Sequence, residues 1–183
     1  MTSERVLDEL GYYLLAGAGG EGPATLMDEA RRGEELGFGT AFISERWNVK
    51  EASSLVGGAA CAVTSRMQIA TAATNHNTRH PLITGSWATT MHRLSGGRFT
   101  LGIGRGIAAL YGAFGIPPVT TAQMEDFARV MRRLWHGELI FNTTVRWGEI
   151  PGSLPGSGLQ RRHPAGFGGV RPGDAEARRP GVR

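Results

Sequence analysis

Four short apolar runs recur between residues 10 and 140, each followed by a polar turn and then a helical pattern. They are "GYYLLAG" from Gly11 to Gly17, "GTAFIS" from Gly39 to Ser44, "MQIATAA" from Met67 to Ala73 and "RFTLGIG" from Arg98 to Gly104. None alternates apolar with polar residues as a strand with one wet face does, so each is expected to be buried on both faces of a parallel sheet. The segments between and after them place apolar residues at helical spacing: Leu26, Ala30 and Gly33; Ile83, Trp87, Met91 and Leu94; Met124, Phe127, Met131 and Leu134. Each such stripe can cover a sheet. The alternation commits the chain to the α/β class.

Boundary residues agree with this division. Pro81 suits the first turn of the third helix, Thr120 and Gln123 make a T-x-x-Q capping box for the last, and Gly37 follows Leu36 where a helix stop is expected. Right-handed crossovers would then bring every strand C-terminus to one side of the sheet, the side on which βα proteins place their ligands.

The net charge of +4 and pI near 10.0 invite a polyanionic partner, but the charge is not spread. Residues 154–183 hold six Arg against Asp174 and Glu176, which accounts for the whole excess and leaves the preceding chain neutral. Neither a nucleic-acid nor a membrane partner is therefore expected. An RNA-binding protein that uses the basic tail is the competing idea, although that tail lacks repeated aromatic platforms for bases. Seven Gly, four Pro and six Arg fill seventeen of its thirty positions, a composition that cannot build a core. Two readings stay open for this segment: a native disordered tail, or a frame-shifted end after about residue 153. Gly, Pro, Arg and Ala are the residues of GC-rich codons, and the rest of the chain uses thirteen Arg against the single Lys50.

No run of eighteen apolar residues exists, and the first residues lack a basic stretch followed by an apolar one, so a cytoplasmic protein is expected. Cys61 is the only cysteine and has no cationic neighbour in sequence, which assigns it to packing.

The polar residues at the strand ends are the candidates for chemistry. The second run ends in Ser44, Glu45, Arg46, Trp47 and Asn48; the third in Asn75, His76, Asn77, Thr78, Arg79 and His80; the fourth in "GIGRGIAALYG". Gly102, Gly104 and Gly106 resemble a dinucleotide fingerprint, but Ile107 stands where a glycine is needed. What remains is either a tight loop, or backbone N–H groups free to approach a phosphate with Arg105 beside them. His76 and His80 have a metal-like spacing, yet Pro81 disfavours helical geometry at His80, and no metal is expected. Asn75, His76 and Asn77 can offer neutral donors and acceptors to a planar polar ring, with Arg79 and His80 supporting their loop. Glu45 and Arg46 can do the same, or can form a surface ion pair. No nucleophile with its base can be assembled from these pieces, so the reacting group is expected from a cofactor.

"GTAFISERWN", "IATAATNHNTRHPLITGSWATTMHRLSGGRFTLGIGRG" and "TTAQMEDFARVMRRLWHGE", taken in that order, resemble the luciferase-like monooxygenase family, particularly its deazaflavin F420-dependent oxidoreductases, over about residues 10–150. The resemblance implies a (β/α)8 TIM-barrel, of which residues 1–153 would form the first four βα units. It implies a non-proline cis peptide at Ala72–Ala73 behind the cofactor ring. It implies Glu45 and His76 as catalytic residues, with Arg46 where relatives often carry a histidine. Ala72, Ala73, Asn75, Gly104, Arg105, Gly106 and Ile107 would bind the cofactor, F420 or alternatively FMN. The activity implied is hydride transfer between the ring and a small-molecule substrate. Four strands would then be missing, so the 183 residues are expected to be inactive alone and to form a homo-oligomer through exposed barrel edges. A non-catalytic flavin-binding or partner-binding module would use the same face.

Overall fold

The computed structural model describes residues 7–15, 25–45, 53–146 and 148–152. Arg46, Trp47, Asn48 and the segment from residue 154 onward, on which part of the sequence reading falls, lie outside the described residues.

Apolar runs become strands at the expected places, but shorter. They are β1 (Gly11–Tyr13), β2 (Thr40–Ile43), β3 (Gln68–Thr71) and β4 (Phe99–Thr100), in the order β1-β2-β3-β4 with every pair parallel. The reason for the shortening is visible at β4. Its ladder with β3 breaks after Thr100 and resumes only as a bridge between Ile103 and Thr74. The helices are α1 (Leu26–Glu35), α2 (Ser53–Val63), α3 (Pro81–Leu94), α4 (Ala108–Ala113) and α5 (Thr121–Trp135). A hairpin of β5 (Phe141–Val145) and β6 (Gly148–Gly152) follows.

Register puts side chains in rows across the sheet, because successive residues of a strand point to opposite faces. Tyr12, Ala41, Ile69 and Phe99 form one row. This row joins Leu26 and Ala30 of α1, Val56 and Ala60 of α2, and Ala88 and Met91 of α3 in one core. Tyr13, Phe42, Ala70 and Thr100 form the row on the opposite face, where no described helix contributes to the core; Tyr13 is 47% exposed and Thr100 is also exposed. Helices on a single face distinguish this sheet from a doubly wound one, which is covered on both. A four-stranded parallel sheet with its helices outside is the arrangement of the first four βα units of a barrel.

The expected boundary signals are present. Pro81 opens α3, Gly37 takes φ +87 after α1, and Thr120 with Gln123 makes both bonds of the capping box on α5. Of the expected helix stripes, Leu26, Ala30 and Gly33 of α1 are buried as a set. The stripe assigned to α3 is corrected. Met91 is buried as expected and Trp87 packs against the core, but Ile83 and Leu94 are exposed, and the helix also buries Thr84, Gly85, Ala88 and Thr89. Small residues win because α3 is approached from both sides: a Cβ on Gly85 would lie 3.3 Å from Leu134 of α5, and one on Gly57 of α2 would lie 2.8 Å from Met91.

The "RLSGGRF" turn is structural. Gly96 and Gly97 take φ +65 and +95 after α3, conformations that a side chain rarely tolerates. Arg98 then reaches back to the C-terminal end of α2, donating to the carbonyls of Cys61, Thr64 and Met67 and to Thr64 Oγ1 at 2.7–3.1 Å. A cation there meets helix carbonyls that have no partner within the helix. Cys61 is buried, and burial pushes its thiol up to about 11 against the opposing pull of Arg98, so it is a packing residue as expected.

Candidate functional site at the strand ends

The ends of β2, β3 and β4 meet around an irregularity in β3. Ala70 pairs with Thr100 and Thr74 with Ile103, so β3 spends four steps where β4 spends three. One extra residue on one strand is a β-bulge, a device that re-aims the backbone beside it. The peptide bond Ala72–Ala73 within it is cis, at the position expected from the family resemblance.

Side chains and backbone of all three strands hold the bulge from outside. Thr71 Oγ1 donates to Gly102 O and accepts from Gly102 N, both at 2.8 Å. Ala72 N donates to Ile43 O at 2.7 Å, and Glu45 N to Ala73 O at 3.3 Å. Thr74 N donates to Gly102 O, and Gly104 N to Thr74 O. Tyr13, from β1, donates its hydroxyl to Ala72 O at 3.1 Å while its ring lies 5.6 Å from that of Phe42.

The glycines of "GIGRG" are explained by close approach. A Cβ on Gly102 would run into Thr71 O, one on Gly104 would lie 2.9 Å from the Ala73 Cβ, and Gly106 takes φ +68 against the ring of Tyr111. Small residues at 72, 73, 104 and 106 thus let the ends of β3 and β4 approach closely, and the Tyr111 ring closes this strand-end cradle at Gly106. Arg105 is exposed beside it and bonds Thr121 at the start of α5; Ile107, exposed, is the N-cap of α4. Arg105 also edges a shallow groove of about 430 Å³ with Thr121, Met124, Glu125, Ala128 and Arg132. That groove does not include Glu45, Asn75 or His76.

The polar run after β3 forms a single 3-10 turn, His76–Thr78. Asn75 is buried, and its Nδ2 donates to Gly104 O at 2.8 Å, tying the third strand end to the fourth. Asn77 Nδ2 donates to Pro117 O at 2.8 Å. His76 is 4% exposed with its ring 5.4 Å from that of Phe127 in α5, and burial pulls its pKa below the ordinary 6.5. His80 accepts from Leu82 N and so caps α3.

Glu45 pairs with Arg79. The carboxylate Oε1 accepts from Arg79 at 2.5 Å and from Thr74 Oγ1 at 3.1 Å, while Arg79 also donates to Thr74 Oγ1 at 2.9 Å and lies 5.4 Å above the Trp87 ring. These contacts form a closed triangle linking β2, the bulge and the 3-10 turn. Charge-assisted bonds of this kind are about twice as strong as neutral ones.

Two participants were not among the sequence candidates. Tyr111, on the short helix α4, is 3% exposed, and its hydroxyl is held above its ordinary pKa first by burial and then by the charge of Glu45. A signal for it existed: a lone aromatic in the glycine-rich segment "GIAALYG". Tyr13 gave none, since it reads as one more apolar strand residue. Among the described residues no group of acidic, His and Cys side chains has the arrangement of a metal site, and no helix is long and apolar enough to cross a membrane.

Residues 9–176 match the sequence profile of a family described as luciferase-like monooxygenase. Among curated proteins, the 5,10-methylenetetrahydromethanopterin reductase of Methanopyrus kandleri is 32% identical over 109 residues, 57% of this chain and 31% of that protein. The solved coenzyme F420 dependent tetrahydromethanopterin reductase from Methanopyrus kandleri superposes with a TM-score of 0.63 at 27% identity, covering 70% of this chain and 40% of that one. The oxygenating constituent of 3,6-diketocamphane monooxygenase from Pseudomonas putida, in complex with FMN, gives a TM-score of 0.65 at 20% identity, covering 78% and 43%; that is a likeness of fold. The chain thus spans less than half the length of each.

Proposed function

The chain belongs to the luciferase-like monooxygenase family, and from that premise we propose that its strand-end cradle binds a flavin-type ring, F420 in first place and FMN as the alternative, for oxidoreduction of a small organic substrate. The observation that carries this is the bulge at Ala72–Ala73, fixed from three strands and packed against Gly104, which presents only small side chains at the end of β3. Preference for F420 rests on the similarity to the F420 dependent reductase, while the FMN-bound relative shares the fold alone.

Each residue has a part that its surroundings allow. Ala72, Ala73, Gly104 and Gly106 form the surface against which the ring lies. Asn75 holds the Gly104 carbonyl in place, so it shapes that surface from below. Arg105 is exposed and can exchange its bond to Thr121 for a bidentate one to a cofactor phosphate, with Ile107 N at the same loop. Of the expected catalytic residues, His76 is buried and Glu45 has a side chain only 6% exposed. In this account Glu45 fixes the wall through Arg79 and Thr74, and His76 stays neutral against Phe127. The cofactor, when bound, supplies a ring carbon that gives or takes hydride. The protein supplies orientation and exclusion of water.

Binding and turnover separate here. The chain spans less than half the length of the relatives it matches, so turnover is assigned only to a site that a second wall completes. Fluorescence titration with F420 and FMN tests the assignment. Saturable binding is expected, and Arg105→Ala should weaken it about 10- to 150-fold, the equivalent of about 1.5 to 3 kcal/mol for a charge-assisted bond. An unchanged dissociation constant would remove Arg105 from the site.

A further inference from the structure

We propose that two copies of this chain close on each other into one eight-stranded barrel, with the inner face of each sheet covered by the other. All four strands run parallel in sequence order, and among the described residues β1 pairs only with β2 and β4 only with β3. Parallel sheets are found with both faces covered, yet the row Tyr13, Phe42, Ala70 and Thr100 faces no described helix. A twofold axis parallel to the strands sets β1 of each copy beside β4 of the other, with all eight strands running the same way. It pairs two edges that no described strand occupies and brings the strand count to that of a closed barrel. The symmetry is of the commonest closed kind.

The inner face fits such an occupant chemically. Its residues are Gly11, Tyr13, Thr40, Phe42, Gln68, Ala70 and Thr100, without an acidic or basic side chain, so burying it against an identical face strands no charge. Four strands at about 4.8 Å spacing and about three residues long give only about 200 Å² per copy, less than a stable dimer needs. The remainder is available next to both edges. Leu10 and Leu15 flank β1, and Ile107, Leu110 and Phe114 follow β4, all exposed. Closure also places the partner's strand ends around the mouth that holds Ala72 to Gly106, so the second copy supplies the opposite wall of the cradle. The association itself stands on sheet geometry and does not depend on which cofactor binds.

Sedimentation velocity of the full chain over a range of concentrations is the test. A species of twice the 19.6 kDa chain mass is expected to grow in with concentration. Thr100→Lys and Tyr13→Lys, each at a side chain exposed in the single copy, should shift the population to monomer while circular dichroism stays unchanged. Hydrogen exchange on the unmodified chain provides a readout that needs no variant: amides of Gly11–Tyr13 and Phe99–Thr100 should slow as the dimer forms. A monomer at every concentration, further strands of a longer chain being then the natural cover, overturns the proposal. So does a dimer that leaves these amides unprotected, or one that both folded lysine variants retain. Loss of cofactor binding with the dimer intact would count against the functional assignment alone.

Discussion

Arg79 and Glu45, 34 residues apart, meet at 2.5 Å with Thr74 closing the triangle between them. The Glu45 side chain is 6% exposed and that of Arg79 is 21% exposed, so neither charge is well solvated alone. Removing one partner of such a pair leaves the other buried and uncompensated, which typically costs about 3 to 5 kcal/mol. Arg79→Ala should therefore lower unfolding free energy by about 3 kcal/mol, the low end reflecting partial exposure. The double replacement Arg79→Met with Glu45→Gln should recover most of that loss. Urea denaturation of the two variants and the parent checks this, and a loss below about 1 kcal/mol in Arg79→Ala would mean a surface-type pair.

Glu34 sits at the C-terminal end of α1 and accepts from the backbone N–H groups of Ser65, Arg66 and Met67 at 2.6–3.0 Å. Burial by itself would raise its pKa, but the hydrogen bonds from Met67, Arg66 and Ser65 outweigh it and hold the carboxyl at about 2. A depressed folded-state pKa gives stability that is complete above the ordinary 4.5 and lost as pH falls toward 2. Glu34→Gln should cost about 1 to 2 kcal/mol at neutral pH and flatten the acid side of the stability curve. A variant as acid-sensitive as the parent would contradict this.

His76 works in the same direction for a different reason. Burial disfavours its charged form, so its stabilising contribution is full above 6.5 and declines as pH drops below it toward the depressed value. His76→Gln should remove that part of the pH dependence below pH 6.5, read from denaturation midpoints. Identical slopes in both proteins would show that His76 is accessible to protons without cost.

Gly106→Ala should cost about 1 to 3 kcal/mol, since position 106 takes φ +68 and a Cβ there collides with Tyr111. In a Tyr111→Ala background the steric part disappears, and the same substitution should cost only the backbone part. Equal costs in the two backgrounds would separate Tyr111 from the loop.

Legibility in the sequence followed the range of each interaction. Strand positions, the capping box of α5, the Gly37 stop and the buried stripe Leu26, Ala30 and Gly33 were readable because they depend on neighbours within a turn or two. The rotation of α3 was not, since it depends on Gly57 and Leu134 in other helices. Glu45 was readable as an important strand-end residue, but its partner was not; Arg79 reaches it only after the 3-10 turn folds back, and adjacent Arg46 looked the simpler choice. Asn75 and Asn77 were expected to present free amides, whereas their Nδ2 groups bond the carbonyls of Gly104 and Pro117. Helix α4 escaped because six residues do not establish a period, and Tyr111 went with it.

The central claim is that the small-residue bulge at the end of β3 is the surface on which a flavin-type ring lies. Ala73 tests it most directly, because its Cβ packs directly against Gly104 at the end of β3. Ala73→Leu would put a larger side chain on that surface, and equilibrium titration with F420 and with FMN, followed by ligand fluorescence, compares it with the unmodified chain. Saturable binding by the unmodified chain is expected, with at least a tenfold loss, about 1.4 kcal/mol, in a variant whose circular dichroism is unchanged. Binding of equal strength in a folded Ala73→Leu variant, or no binding of either cofactor by the unmodified chain, would contradict it.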